Sequence, residues 1–258
     1  MTDPTALLRA YDDQLRTSAE TLGADRVTHL GPLLLATLRG GRGFITYRDL
    51  GGADAAAIRE LVPRALDHYR DDLTIKRVEW KTRGHDHTPG LVQTLLDNGF
   101  VAEETESILI GEVAVLANDV PLPEGVTLRR ITSPDDIHAM GAMQAEVFDD
   151  RDWTPDGPPT DTSGGAELWV AEADGQIISA GRLEPVPGTD FAGLWGGATR
   201  PQWRGRGVYR ALTAARARSA LAQGIRLVNV DCAEFSRPIL ERAGLVKVST
   251  TTPYLWRR

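Results

Sequence analysis

The chain has 258 residues, 41% hydrophobic and 25% charged, the profile of a soluble globular protein with room for one large domain or two small ones. A formal charge of -7 and a sequence pI near 5.3 argue against a general attraction to nucleic acid or an anionic membrane, though local basic patches remain allowed. The single cysteine, Cys232, excludes an intramolecular disulfide, and no apolar run reaches the roughly 18 residues a membrane span needs. The start, Met1-Thr2-Asp3-Pro4, is acidic and lacks the basic and apolar regions of a signal peptide, so the cytoplasm is the expected location.

Apolar periodicity divides the chain into two similar passes of strands and helices, joined at the turn-rich residues 117–125. In the first pass a helix is expected over 4–22, then strands over 31–38 and 44–50 joined by the glycine hairpin Arg39-Gly40-Gly41-Arg42-Gly43. A helix over 54–69, a strand over 76–83, a helix over 90–98 and a strand over 104–115 complete it. The second pass opens with a strand over 126–131 and a helix from Pro134 to about 148, with Ser133 as its cap. Residues 149–161, rich in proline and acid and carrying Trp153, read as a long surface loop. Strands over 167–172, 176–183 and 191–199 follow, the first two joined by an Asp174-Gly175 turn. A helix over 209–223, a strand over 226–231, a short helix over 237–243 stopped by Gly244 and a last strand over 246–255 close the chain. Helices beside mostly antiparallel strands imply an α+β fold, with domains at 1–117 and 124–258.

The segment Arg204-Gly205-Arg206-Gly207-Val208-Tyr209-Arg210 stands between a strand and a helix. Two glycines and three arginines at a helix start suit a diphosphate, because free amides and the helix dipole converge there. Neither a Gly-Lys-Ser/Thr P-loop nor a G-x-G-x-x-G follows a strand, which weakens the P-loop and Rossmann readings. An ordinary turn is the plainest alternative for so short a pattern.

With Pro201 before the loop and Ser236 to Leu245 after it, the segment resembles the signature of the GNAT superfamily of acyl-CoA-dependent N-acyltransferases. The resemblance implies a mixed, mostly antiparallel sheet flanked by helices, with the diphosphate of acetyl-CoA, the acyl-donor substrate, on Arg204, Gly205, Arg206, Gly207, Val208, Tyr209 and Arg210. It adds Ala198, Thr199 and Ser236 to the cofactor contacts, and a strand bulge at Gly196-Gly197. Tyr209 departs from the small residue the pattern has there and is expected to narrow the approach. The first pass, with Val78 to Asp86 and Pro89 to Phe100, resembles the amino-terminal half of two-part bacterial members. Its turn Gly51-Gly52-Ala53-Asp54 lacks the pattern, so a degenerate, cofactor-free partner that completes the sheet or walls the acceptor site is expected.

The glutamate that many members use as base is missing from strand 191–199, and Leu240 stands where many have an acidic tyrosine. Glu184 is the leading substitute base, with an exposed strand-end carboxylate as its alternative; Asp231, Ser236 and Tyr254 are lesser candidates. Ser236 reads more simply as a helix cap, Tyr254 as packing and Cys232 as a small core residue. His85 and His87 lack a second ligand cluster, so no metal is expected. Trp169, Trp195 and Trp256 fit strand patterns as core or cleft wall, and Trp153 with its carboxylates hints at a cationic acceptor. The expected activity is acetyl transfer to a primary amine of a small molecule by a monomer or homodimer. Non-catalytic acyl-CoA binding, or a protein that kept only the fold, remain the competing readings.

Overall fold

The fold is that of a computed structural model, which describes residues 3–149 and 165–258. The first pass runs α1 (Pro4–Gln14), β1 (Arg26–Leu30), β2 (Leu33–Leu38), β3 (Arg42–Tyr47), α2 (Ala55–Arg70), β4 (Arg77–Arg83), α3 (Leu91–Asp97), β5 (Val101–Ala102), β6 (Glu106–Glu112) and the single turn α4 (Val113–Leu116). The second runs β7 (Thr127–Ile131), α5 (Pro134–Phe148), β8 (Glu167–Ala173), β9 (Gln176–Pro185), β10 (Phe191–Thr199), α6 (Val208–Ala222), β11 (Leu227–Cys232), α7 (Arg237–Arg242) and β12 (Val246–Arg257).

All of these strands join one sheet in the order β1-β2-β3-β4-β12-β6-β11-β10-β9-β8-β7, with β5 beside β12. The pairs β3–β4 and β10–β11 are parallel and the other pairs are antiparallel. This is the α+β arrangement the sequence suggests. The order also holds a feature the sequence does not announce: each pass sends its last strand into the other. β6 lies between β11 and β12, and β12 lies between β4 and β6. The junction at 117–125 therefore separates the passes in sequence, while the hydrogen-bonded sheet runs across them.

Packing follows the same interlock. On one face α2 and α3 bury Ile58, Val62, Leu66, Leu91 and Leu95 against Trp80 and Tyr254, the latter brought in by β12. Around the second pass, Ala217 and Ala220 of α6 and Leu240 of α7 pack on Leu109 of β6 and Val228 and Val230 of β11. Leu7 and Tyr11 of α1 cover Ile108 and Ile110 of β6 together with Phe191 of β10. α1 thus crosses the seam.

Several expected boundaries move. The helix expected over 4–22 ends at Gln14, and Thr17, accepting from the Ala19 amide at 3.1 Å, opens a short 3-10 turn over Ser18–Thr21. β1 falls where no strand was expected, because this edge strand is largely exposed and lacks an apolar face. The strand expected to reach 115 ends at Glu112, after which the chain coils into α4. The cap at Ser133 is present, with the Asp136 amide donating to its hydroxyl at 3.2 Å. No helix among the described residues is long and apolar enough to cross a membrane.

Candidate active site

β10 and β11 pair only through Phe191↔Leu227, Ala192↔Val228 and Gly193↔Asn229, and then part. On its other edge β10 stays with β9 but slips register between Trp195 and Ala198, which places a bulge at Gly196-Gly197. Both glycines are required there. Gly196 takes φ 60° and its carbonyl accepts from the Gln144 side chain of α5 at 2.6 Å. At Gly197 an added Cβ would stand 2.8 Å from the Tyr209 ring.

Beyond β10 the chain passes through a 3-10 turn over Pro201–Trp203 and two left-handed glycines, Gly205 at φ 74° and Gly207 at φ 83°, before α6 starts. No side chain caps α6. Among the described residues, none of the six amides from Gly205 to Arg210 has a hydrogen-bond acceptor, and the space over Gly205 is open. A helix start with this many unused donors is chemically suited to an anion. Arg204, Arg206 and Arg210 are exposed around it; Arg206 stacks 5.0 Å from the Trp203 ring centre, and Arg204 Nε donates to the Thr199 carbonyl at 3.1 Å. The Ala198 carbonyl accepts from Ser179 at 2.7 Å. Ala198 and Thr199 are thus buried with their carbonyls engaged internally, and they frame the loop.

The equivalent place in the first pass, between β3 and α2, is closed. Asp54 caps α2 by accepting from the Ala56 and Ala57 amides at 3.0 and 2.8 Å, so a carboxylate occupies the position an anion would take. Beside β3 and β4, Arg83 is buried and binds Thr46, the Lys81 carbonyl and Glu20.

Tyr209 turns inward from the first turn of α6, so its ring leaves the open side of the glycine loop clear. It packs among the apolar residues around Cys232 and Leu240. Burial pushes its hydroxyl above the ordinary tyrosine value, opposed by the guanidinium of Arg216 and by hydrogen bonding with Thr213. Arg216 is 1% exposed, and its Nη atoms donate to the Arg182 carbonyl at 3.1 Å and to Thr213 at 3.2 Å. Its Nε has no partner among the described residues, and Gly181 provides the room it needs.

The opposite face of the splay carries the acceptor-side candidates. Glu184 lies opposite Gly193 and pairs with Arg182 at 3.0 Å. Trp195 folds its indole back over Gly193, as a cleft wall. Asp231, just past the point where β10 and β11 part, pairs through Oδ2 with Lys81 Nζ at 2.7 Å, and its buried Oδ1 has no donor among the described residues. Glu106 at the start of β6, absent from the sequence candidates, joins this group; burial and the Asp231 charge push its carboxyl up to about 7. Sequence spacing gives no signal for it, because Glu106 and Asp231 are brought together by the pairing of β6 with β11.

The remaining candidates are placed elsewhere. Ser236 stands at the start of α7, but its hydroxyl makes no cap bond, because its backbone is already helical where a cap residue is extended. Leu240 is 1% exposed and fills the position expected for an acid with apolar packing. Tyr254 belongs to the core under α2 and α3. Cys232 is buried, which drives its thiol up to about 12 and keeps it protonated. His85 is engaged by Ser249 at 2.6 Å, Arg16 at 2.9 Å and Asp12 at 3.1 Å, and no metal-holding group of His, Cys, Asp or Glu occurs among the described residues. Trp169 donates to Glu167 at 2.8 Å, and Trp256 packs at the edge of the first core. Trp153 and most of the acidic loop lie outside the described residues.

The strand ends thus combine a splayed parallel pair, a glycine bulge and an uncapped helix start within an α+β sheet. Residues 132–244 match the family model of the Acetyltransferase (GNAT) family. Solved structures share the fold over nearly the whole chain. A GCN5-related N-acetyltransferase from Kribbella flavida is 17% identical with a TM-score of 0.69, covering 92% of each chain. A functionally unknown conserved protein from Staphylococcus epidermidis is 12% identical with a TM-score of 0.68, covering 94% of this chain and 98% of the other. A tandem GNAT protein from the clavulanic acid biosynthesis pathway is 14% identical with a TM-score of 0.59, covering 98% and 95%. Comparison with curated proteins gives no match.

Proposed function

We propose that the protein transfers an acetyl group from acetyl-CoA to a primary amine of a small-molecule acceptor, by direct attack and without a covalent enzyme intermediate. The observation that carries this reading is the uncapped start of α6, with unused amides and three exposed arginines, at the end of a parallel pair that has parted. The diphosphate lies on the amides from Gly205 to Arg210, with charge from Arg204, Arg206 and Arg210. The pantetheine arm lies between β10 and β11, where the strands no longer use each other's backbone groups. The first pass binds no cofactor, a reading supported by the Asp54 carboxylate on the α2 amides.

Attack on the thioester needs a neutral amine, a polarised carbonyl and a route for protons. Glu184, the base candidate named from the sequence, lies on the face opposite α6 but is paired with Arg182 at 3.0 Å. The acceptor arrives on the face that holds Trp195 and Asp231, and the protein acts as a monomer or homodimer in the cytoplasm.

The experiment combines binding and turnover. Titration calorimetry of the full chain with acetyl-CoA is expected to show binding, and a panel of primary amines to release free coenzyme A. Gly207→Val puts a β-branched residue at φ 83° and is expected to weaken acetyl-CoA binding by about tenfold or more. Unchanged affinity in that variant would remove the loop assignment. Binding without thiol release for any amine would reduce the protein to a non-catalytic acyl-CoA-binding module.

A further inference from the structure

Resting on the acetyl-transfer reading, we infer that Glu106, carried beside β11 by the strand that the first pass inserts into the second, is the general base that takes the acceptor amine's proton, with Asp231, held by Lys81, beside it.

Strand alternation and register place the carboxylate. Ile108 and Ile110 of β6 pack under α1, while Leu109 packs toward α6, so Glu106 faces the α1 side. Val228 and Val230 of β11 pack toward α6, so Asp231 faces the α1 side too. Asp231 is paired with Ile108, which makes Glu106, two residues earlier, its diagonal neighbour. Both stand beyond Gly193↔Asn229, along the stretch of β11 that β10 has left. This is the acceptor face of the splay.

The charges around Glu106 come from several elements. Asp231 on β11, Glu79 on β4 and Glu104 ahead of β6 oppose its ionisation, and Lys81 on β4 favours it. Lys81, however, is committed: its Nζ lies 2.7 Å from Asp231 and 3.8 Å from Glu20, the residue that the turn after α1 lays over Lys81 and Arg83. Glu106 forms no salt bridge with any described residue, whereas Glu184 is held by Arg182. Burial and negative neighbours leave the Glu106 carboxyl near 7, the range in which a base is both ionised and strong enough to accept a proton at neutral pH. The Asp231 side chain is 7% exposed and one donor short at Oδ1, where an ammonium N–H supplies what is missing.

The step balances as follows. An acceptor ammonium gives one proton to Glu106 and becomes a neutral amine. Its nitrogen forms the new N–C bond at the thioester carbonyl, the C–S bond breaks, and the second nitrogen proton ends on the departing sulfur. Glu106 returns its proton to solvent. The products are the acetamide, coenzyme A as free thiol and one released proton.

The test uses the full chain, acetyl-CoA and an amine that the wild type acetylates. Glu106→Gln is expected to lower kcat by about 100-fold or more, to leave acetyl-CoA affinity by calorimetry unchanged, and to abolish the acid limb of the kcat profile near pH 7. Glu106→Asp keeps the limb at reduced kcat, which separates a lost base from a lost fold. Asp231→Asn removes the opposing charge and frees Lys81, so the limb moves to lower pH. If Glu106→Gln keeps both kcat and the limb, or if Glu184→Gln is the variant that loses the limb, the assignment to Glu106 is overturned while acetyl transfer stands. A wild type that binds acetyl-CoA but acetylates no amine overturns both.

Discussion

A few side chains decide how this fold behaves, and Glu106 shows it most directly. Burial first, then the Asp231 charge, raises its carboxyl from 4.5 to about 7 in the folded protein. The folded state therefore holds the proton more tightly than the unfolded chain. The stabilisation from this group is complete below pH 4.5 and is lost as pH rises through 7. Urea unfolding at pH 4.5, 6 and 8 should show the wild type losing stability relative to Glu106→Gln between the first and last of these, with parallel curves above. A constant difference across that window would mean that Glu106 titrates normally. Arg216 and Tyr209 make a second case, where glycines at 181 and 197 give up their side chains so that a large polar residue from α6 can be buried beside the sheet.

At the level of elements, the same supersecondary unit occurs twice with opposite endings. In each pass a parallel pair is crossed by a helix, β3-α2-β4 and β10-α6-β11. The first helix starts on an aspartate that uses two amides, and the second on a glycine that uses none. Asp54→Ala is expected to destabilise the protein by about 1 kcal/mol in urea unfolding, the usual worth of such a cap. No change would mean that the α2 amides are satisfied by water and that the aspartate is not what closes this site. The sequence showed that Gly51-Gly52-Ala53-Asp54 lacks the pattern of Arg204 to Arg210, whereas the Asp54 cap came only with the structure, since the periodicity placed Asp54 inside the helix. β1 was not legible, since an exposed edge strand has no apolar face to set its period.

For the whole molecule, the exchange of β6 and β12 makes each pass incomplete alone. A fragment ending at 117 lacks β12, against which β4 and β6 both pair, and a fragment starting at 118 lacks β6, on which β11 and β12 close. Each is expected to be unfolded or aggregated when expressed separately, from the sheet edges and apolar surface it would expose. Co-expression of the two should restore a complex with native circular dichroism and thermal melting. Two fragments that melt cooperatively on their own would show that the exchange adds little. The same exchange sets the reach of the site, since Glu106, Lys81 and Glu20 come from the first pass and Asp231 and Glu184 from the second.

By itself the sequence determined the local features: helix and strand periods, the cap at Ser133, the glycine turns and the arginine-rich start of α6. Each depends on backbone angles or side chains a few residues apart, so the information is written where it is used. The tertiary structure alone decided which strands pair across the seam, where Tyr209 points, and that a first-pass glutamate joins a second-pass aspartate. An apolar alternation tells a segment to be a strand but does not name its neighbour. The neighbour is chosen by burying apolar faces of both passes in one continuous sheet, and the proposed acceptor side of the site is assembled by that choice.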